Sequence, residues 1–332
     1  MNLYRPVVLC SVVLTFLVIV VGAYVRLEDA GLGCPDWPGC YGQLLGVPDE
    51  VHEVAKAEQA FPGKTVDAGR AWKEMFHRYL AGTLGLLVLA IAAIAWRMRS
   101  ETSRTPWLAF ALVLLVAFQA TLGMWTVTML LKPAIVTLHL LGGMTTLAVL
   151  TWLALRELDP QPAPAAIARA FRPWAAAGLA VLFVQIALGG WVSANYAALA
   201  CTDFPSCHGE WLPKMDFENA FHVLRELGVT AAGAPLSYEA LTAIHWSHRL
   251  AALVTLGYVG FLALWALRTP PLRVVGAALL VLLLAQAGLG IANVLLRLPV
   301  VLAAAHNAGA ALLLAALVVL NFVVFQRANG QG

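Results

Sequence analysis

Eight apolar runs, each long enough to cross a membrane, constrain this chain more than any other feature. They cover about 6–25, 73–96, 107–130, 133–155, 173–193, 241–265, 274–296 and 299–325. A hydrocarbon core of about 30 Å needs roughly 20 apolar residues per helix. The runs therefore predict an all-α integral membrane protein with eight transmembrane helices. Apolar residues make up 61% of the chain and charged residues 12%, whereas a soluble domain carries roughly 25% charged residues. That deficit excludes a soluble enzyme and a disordered chain. The net charge is only +3 and no Lys/Arg cluster is dense, so no nucleic-acid partner is expected. The first run is too long for a signal-peptide core and no small-residue cleavage site follows it, so it reads as a retained helix.

Two connections are long, about 26–72 and 194–240, and the others are short. An even number of spans puts both termini on one side. The short loops of that side carry Arg97, Arg99, Arg104, Arg156, Arg169, Arg172, Arg268 and Arg273, joined by Arg5 and Arg327 at the ends, with only Glu101, Glu157 and Asp159 as acids. Basic density then predicts a multi-pass protein of a bacterial-type inner membrane, with cytoplasmic termini and both long loops outside.

The chain also repeats itself. Cys34 and Cys40 recur as Cys201 and Cys207, Gln119-Ala-Thr-Leu-Gly123 as Gln286-Ala-Gly-Leu-Gly290, and His139 as His306, each 167 residues later. His77-Arg78 recurs as His248-Arg249, 171 residues later, and the four extra residues fit inside the second long loop. Two four-helix copies follow: an N-terminal half, 1–160, and a C-terminal half, 161–332. With four spans per copy, the second enters the membrane as the first does, so the repeats are parallel.

Five of the eight histidines fall in spans: His77, His139, His245, His248 and His306. Titratable groups there are costly and mark function by default. Each half keeps one histidine on its second span and one on its fourth. All four enter from the outer side, about 8–10 Å deep at 1.5 Å per residue. Paired imidazoles at matched depth in a bundle suit a bis-histidine porphyrin site. A zinc site is the weaker reading, since it wants about four ligands. His245 stands one turn before His248 with no assigned role, and His52, His208 and His222 are expected to be solvated in the loops.

Glu74 lies one turn before His77 on the same helix face, and the second half has His245 in its place. A carboxylate beside an apolar site can serve proton transfer or charge stabilisation; the plainer expectation is an interfacial Glu facing water near Lys73. Arg78 and Arg249 follow the paired histidines. They are candidates for pairing with porphyrin propionates, or for snorkelling to lipid headgroups.

Cys34 and Cys40, like Cys201 and Cys207, sit six residues apart in a long outer loop. In an oxidising compartment each pair can close a small disulfide loop, although four cysteines allow three pairings. A disulfide can staple the loop over the site, or the pair can act as a redox dithiol. Cys10 is alone in the first span, where packing is expected.

Together these residues resemble the haem A synthase family. The resemblance rests on Val25-Arg26-Leu27, Ala30-Gly-Leu-Gly-Cys-Pro-Asp-Trp-Pro38 with Cys40, Glu74-x-x-His77-Arg78, the two Gln-Ala-x-Leu-Gly segments, His139, His248-Arg249 and His306, and runs from about residue 10 to 325. It implies oxidation of the methyl group of haem O to the formyl group of haem A, for terminal oxidase assembly. It also implies a haem b cofactor on His248 and His306, substrate haem on His77 and His139, an essential Glu74 and redox-active Cys34 and Cys40. Haem O synthase is the expected supplier; the electron partner and any homo-oligomer are left open. The competing readings are a non-catalytic bis-histidine cytochrome in quinol-linked electron transfer and, more remotely, a transporter. Against the cytochrome stands only the Glu74/His245 asymmetry.

Overall fold

The computed structural model describes residues 3–99 and 106–326. Glu101, Arg104 and Arg327, counted in the charge balance, lie outside the described residues. The described residues are helical and contain no strands, only isolated bridges. Eight of the helices are long and apolar enough to cross a membrane.

In chain order the helices are α1 (Tyr4–Leu27), α2 (Val51–Ala60), α3 (Ala68–Arg97), α4 (Trp107–Thr128), α5 (Pro133–Leu158), α6 (Ala165–Ala194), α7 (Phe217–Ala220), α8 (Tyr238–Arg268), α9 (Arg273–Leu295) and α10 (Val300–Phe325). The short α2 and α7 interrupt the two long loops. The chain divides into two compact units, residues 1–146 with 225–227, and 147–224 with 228–332. The division falls inside α5. From Leu147 onward α5 belongs to the second unit, where Trp152 packs edge-on against Phe322 at 4.9 Å.

Several helix starts follow from their caps. Asp67 accepts the backbone N–H of Arg70 at the start of α3, and Ser237 that of Ala240 at the start of α8, each satisfying an orphan donor. The sequence places the start of the fifth span at Pro173. Helix α6 instead begins at Ala165, after Pro164, and runs through Pro173. The turn around Pro173 is held from its sides: Phe171 stacks on Trp265 at 3.8 Å, and Arg172 Nε donates to the Val324 carbonyl.

Several hydroxyl and amide groups inside the spans bond locally, as a medium without water favours. Ser11, Thr15, Thr137 and Thr255 each donate to the carbonyl four residues back. Asn321 Nδ2 donates to Leu317 of its own helix and to Ala175 of α6, both at 2.9 Å. Cys10, expected in packing, is a free cysteine exposed on α1.

The 167-residue correspondence extends to the backbone. Between α4 and α5, Leu130 and Leu131 take φ of 49° and 59°. Between α9 and α10, Arg297 and Leu298 take 58° and 62°. Left-handed conformations in non-glycine residues are strained, so two consecutive ones at matching places mark the same turn in both units.

Gly276 of α9 lies against the last turns of α8. A Cβ there would collide with the backbone of Ala263, Ala266 and Leu267, and backbone cannot step aside as a side chain can. Gly276→Ala is expected to cost about 1–3 kcal/mol, the usual range for overpacking. It should read out as a lower midpoint of thermal unfolding in detergent; an unchanged midpoint would show that α9 can slide.

Candidate functional site

In the first unit, α3 carries His77 and α5 carries His139, close enough to interact electrostatically. In the second, α8 carries His248 and α10 carries His306. Each imidazole lies against a glycine of a neighbouring helix. A Cβ on Gly22 would stand 2.8 Å from the His77 ring, and one on Gly123 3.4 Å from His139. The matching distances are 3.0 Å from Gly189 to His248 and 3.1 Å from Gly290 to His306. The rings therefore rest almost directly on helix backbone.

Nδ1 of His77, His139 and His306 is buried without a hydrogen-bond partner. Buried polar atoms are rarely left so; the same is true of His245 Nδ1, so the open nitrogen reports apolar surroundings, and it is the pairing of the rings that suits a haem iron. A pair of histidines per unit, carried by α3 with α5 and by α8 with α10, fits bis-histidine haem ligation. Each unit offers two histidines rather than a tetrahedral set, so zinc fits less well.

Above the histidines, the two cysteine loops have one design. Cys34 and Cys40 are joined, as are Cys201 and Cys207, with Cα–Cα distances of 4.8 and 5.0 Å. All four sulfur-bearing residues are fully buried. Cys40 pairs with Gln43 across a two-residue turn, and Cys207 with Glu210. The turn residues Tyr41, Gly42, His208 and Gly209 all have positive φ, as a tight primed turn requires. Asp36 accepts from the N–H groups of Tyr41 and Gly42, and Asp203 from those of His208 and Gly209. His52 is exposed, while His208 also bonds the Ala200 carbonyl and stacks on Tyr238.

The arginines fasten these loops to the histidine helices. Arg78 Nη1 donates to the carbonyls of Asp36, Pro38 and Gly39, and Nη2 to Glu74 Oε1 at 2.5 Å. Arg249 donates to the carbonyls of Asp203, Ser206 and Cys201, each at 2.9 Å, and its Nε to His245 Nε2 at 3.2 Å. The snorkelling expected as one role for these arginines is overturned, because loop carbonyls surround both guanidinium groups.

Glu74 is 5% exposed, so it does not face water, and Lys73 pairs instead with Glu28. Its Oε2 accepts the N–H of Cys34 at 2.9 Å, which ties the carboxylate to the disulfide as well as to Arg78. In the second unit His245, also 5% exposed, takes its place beside Arg249.

Residues 5–318 match the COX15-CtaA family, described as cytochrome oxidase assembly proteins. The chain belongs to this family. It is 43% identical to the Heme A synthase of Shewanella oneidensis over 320 residues, 96% of each chain. It is 30% identical to the Heme A synthase of Caulobacter sp. (strain K31) over 332 residues, 94% of each. A third relative, the Heme A synthase of Halalkalibacterium halodurans, is 28% identical over 70% of this chain and 72% of its own.

In this cytochrome oxidase assembly protein, three features went unread in the sequence. The glycines under His77 and His248 were one: Gly22 and Gly189 are also 167 residues apart, and that spacing was the available signal. The loop carbonyls that hold Arg78 and Arg249 leave no side-chain pattern. The aspartate seat of each turn, Asp36 and Asp203, does repeat. Burial works against the ionised form of Asp203, but hydrogen bonds from Gly209, Ser206 and His208 outweigh it and hold the carboxyl at about 2. Its folded value lies below the ordinary one. The stability it contributes is therefore present above the unfolded value near 3.8 and lost as the pH falls through about 2.

Arg78→Gln removes the clamp while keeping a polar group. One charged hydrogen bond is worth about 1.5–3 kcal/mol, so the loop should open and the buried Cys34–Cys40 disulfide be reduced about tenfold faster or more. Timed reduction followed by alkylation measures this. Reduction at the wild-type rate would mean the disulfide loop holds itself.

Proposed function

We propose that this chain is a haem A synthase, which oxidises the methyl group of haem O to the formyl group of haem A for terminal oxidase assembly. The observation that carries the reading is an asymmetry. Two units alike in histidines, glycines, disulfide loops and arginine clamps differ in the ionisable residue one turn before the paired histidine, Glu74 against His245. A symmetrical electron carrier has no use for a carboxylate in one half only.

On this reading the working halves are 1–160 and 161–332, arranged as parallel repeats. His248 and His306 hold a resident haem b, which supplies a one-electron redox centre when bound. His77 and His139 receive substrate haem O, delivered by a haem O synthase. The apolar rims of the spans accept its isoprenoid tail. Taking a methyl carbon to an aldehyde adds one oxygen atom; with water as its source it releases four electrons and four protons, in two two-electron stages through a hydroxylated intermediate. Glu74, buried and fixed by Cys34 N–H and Arg78, is the group that stabilises developing positive charge or accepts a proton. The Cys34–Cys40 disulfide, bonded through its backbone to Glu74, can accept an electron pair with two protons and pass them to an outside partner. Cys201–Cys207 has no carboxylate beside it, and its role is structural. To meet propionates, Arg78 and Arg249 would have to give up their loop carbonyls, so we assign them to the loops.

The test is pigment analysis of the purified chain, produced with a supply of haem O. The wild type should yield haem A; its absence would sink the reading. Glu74→Gln keeps size and polarity but removes the ionisable group. It should lower haem A formation by about 100-fold or more, leave haem b in place, and accumulate haem O or a hydroxylated intermediate. Near-normal conversion would remove Glu74 from the chemistry.

The termini are proposed to be cytoplasmic, with the disulfide loops on the oxidising side. A membrane-impermeant thiol reagent applied to intact cells should label Cys34 and Cys40 only after mild reduction. Labelling from the cytoplasmic face of inverted vesicles alone would reverse the topology.

A further inference from the structure

Gly22 and Gly189 are the glycines beneath His77 and His248, 167 residues apart. One helical turn before each, in the same register, stand Val18 and Gln185. Here the match between the units breaks. Gln185 Nε2 lies 3.1 Å from His248 Nδ1, 3.5 Å from its Nε2, and 3.3 Å from the His248 carbonyl oxygen. Of the four paired histidines, His248 is the one whose Nδ1 is not left buried without a partner. Val18 offers no hydrogen bond, and His77 Nδ1 is buried with none. The other histidine of each unit does not differ in this way: His139 and His306 both face a glycine, and both have an unpartnered Nδ1.

An amide is suited to this place. It can donate to a bare ring nitrogen or, turned over, accept from a protonated one. Gln185 lies nearer Nδ1, which leaves Nε2 as the ligating nitrogen. A ligating imidazole carries its ring proton on the other nitrogen, and a partner there fixes the ring's orientation and raises its basicity. Loss of such a partner usually costs 10–100-fold in affinity. The two halves need opposite properties. A resident cofactor must stay through many turnovers, whereas a product must leave.

We propose that Gln185 is a positioning residue that makes the second unit's haem site a retaining one, while Val18 leaves the first unit's site free to exchange. The proposal rests on the reading that His248 and His306 hold haem b and that His77 and His139 take the substrate.

The test uses the full chain in detergent and follows transfer of each haem to excess apomyoglobin, with haem b distinguished from haem O and haem A by extraction. A potentiometric titration of haem b accompanies it. Gln185→Leu should speed loss of haem b by about 10–100-fold and raise its reduction potential, because a less basic imidazole stabilises the ferric state less. Gln185→Glu keeps an acceptor; it should restore retention and bring the potential back to or below that of the wild type. Val18→Gln gives His77 the missing partner. It should slow release of haem O and haem A from the first unit by a similar factor, and it decides the matter alone if the Leu variant does not fold. Wild-type dissociation and potential in Gln185→Leu, or unchanged release in Val18→Gln, would reduce Gln185 to helix packing and leave the haem A synthase reading standing. A wild type that binds no haem b, or whose haem b is untouched by His248→Ala, would instead overturn that underlying reading.

Discussion

A polar group inside a membrane span has no water to turn to, and the placement of such groups here follows from that. Hydroxyls of α1, α5 and α8 return to their own helices, and Asn321 uses its amide to join α10 to α6. Other polar groups find no such partner: Thr151, Thr242 and Asn293 each keep a buried oxygen without one, and several imidazole nitrogens are left the same way. Nδ1 of His77, His139, His245 and His306 is left open, and in the paired histidines the other ring nitrogen would be the one to ligate a metal centre. The helices, their glycines and the loops above them are arranged around that tension.

The loops answer a second need. An aspartate seats each tight turn, a disulfide closes it, and an arginine from the histidine helix gathers its carbonyls. The arginine is the residue next to the paired histidine in the chain. Any movement of the loop is therefore transmitted to the helix turn that carries the imidazole, through a planar, multidentate group that tolerates little reorientation.

Much of this was legible in the sequence. Run length set the eight helices, and the recurrence of Cys34, His139 and Gln119 at one spacing exposed the two copies. Capping residues such as Asp67 and Ser237 were ordinary signals. The fifth run reads from about 173, where unbroken apolar character begins, and so misses the first turns of α6, where Arg169 and Arg172 interrupt it. Arg78 and Arg249 were read by charge alone, whereas their partners are backbone carbonyls, which every residue possesses and no pattern marks. Gln185 leaves no mark for another reason: a repeat displays the residues that recur, and the meaning of Gln185 lies in failing to recur.

Glu74 joins the N–H of Cys34 to the guanidinium of Arg78, and Arg78 joins it to three carbonyls of the same loop. These groups form one closed circuit, and members of such a circuit do not contribute independently. Removing a second member after the first should therefore cost far less than the two single losses together. Drift at either position alone then meets nearly the whole penalty at once; the second unit keeps its arginine, Arg249, and sets His245 against it where the first has an acid, so the two circuits cannot trade that residue without the loop adapting.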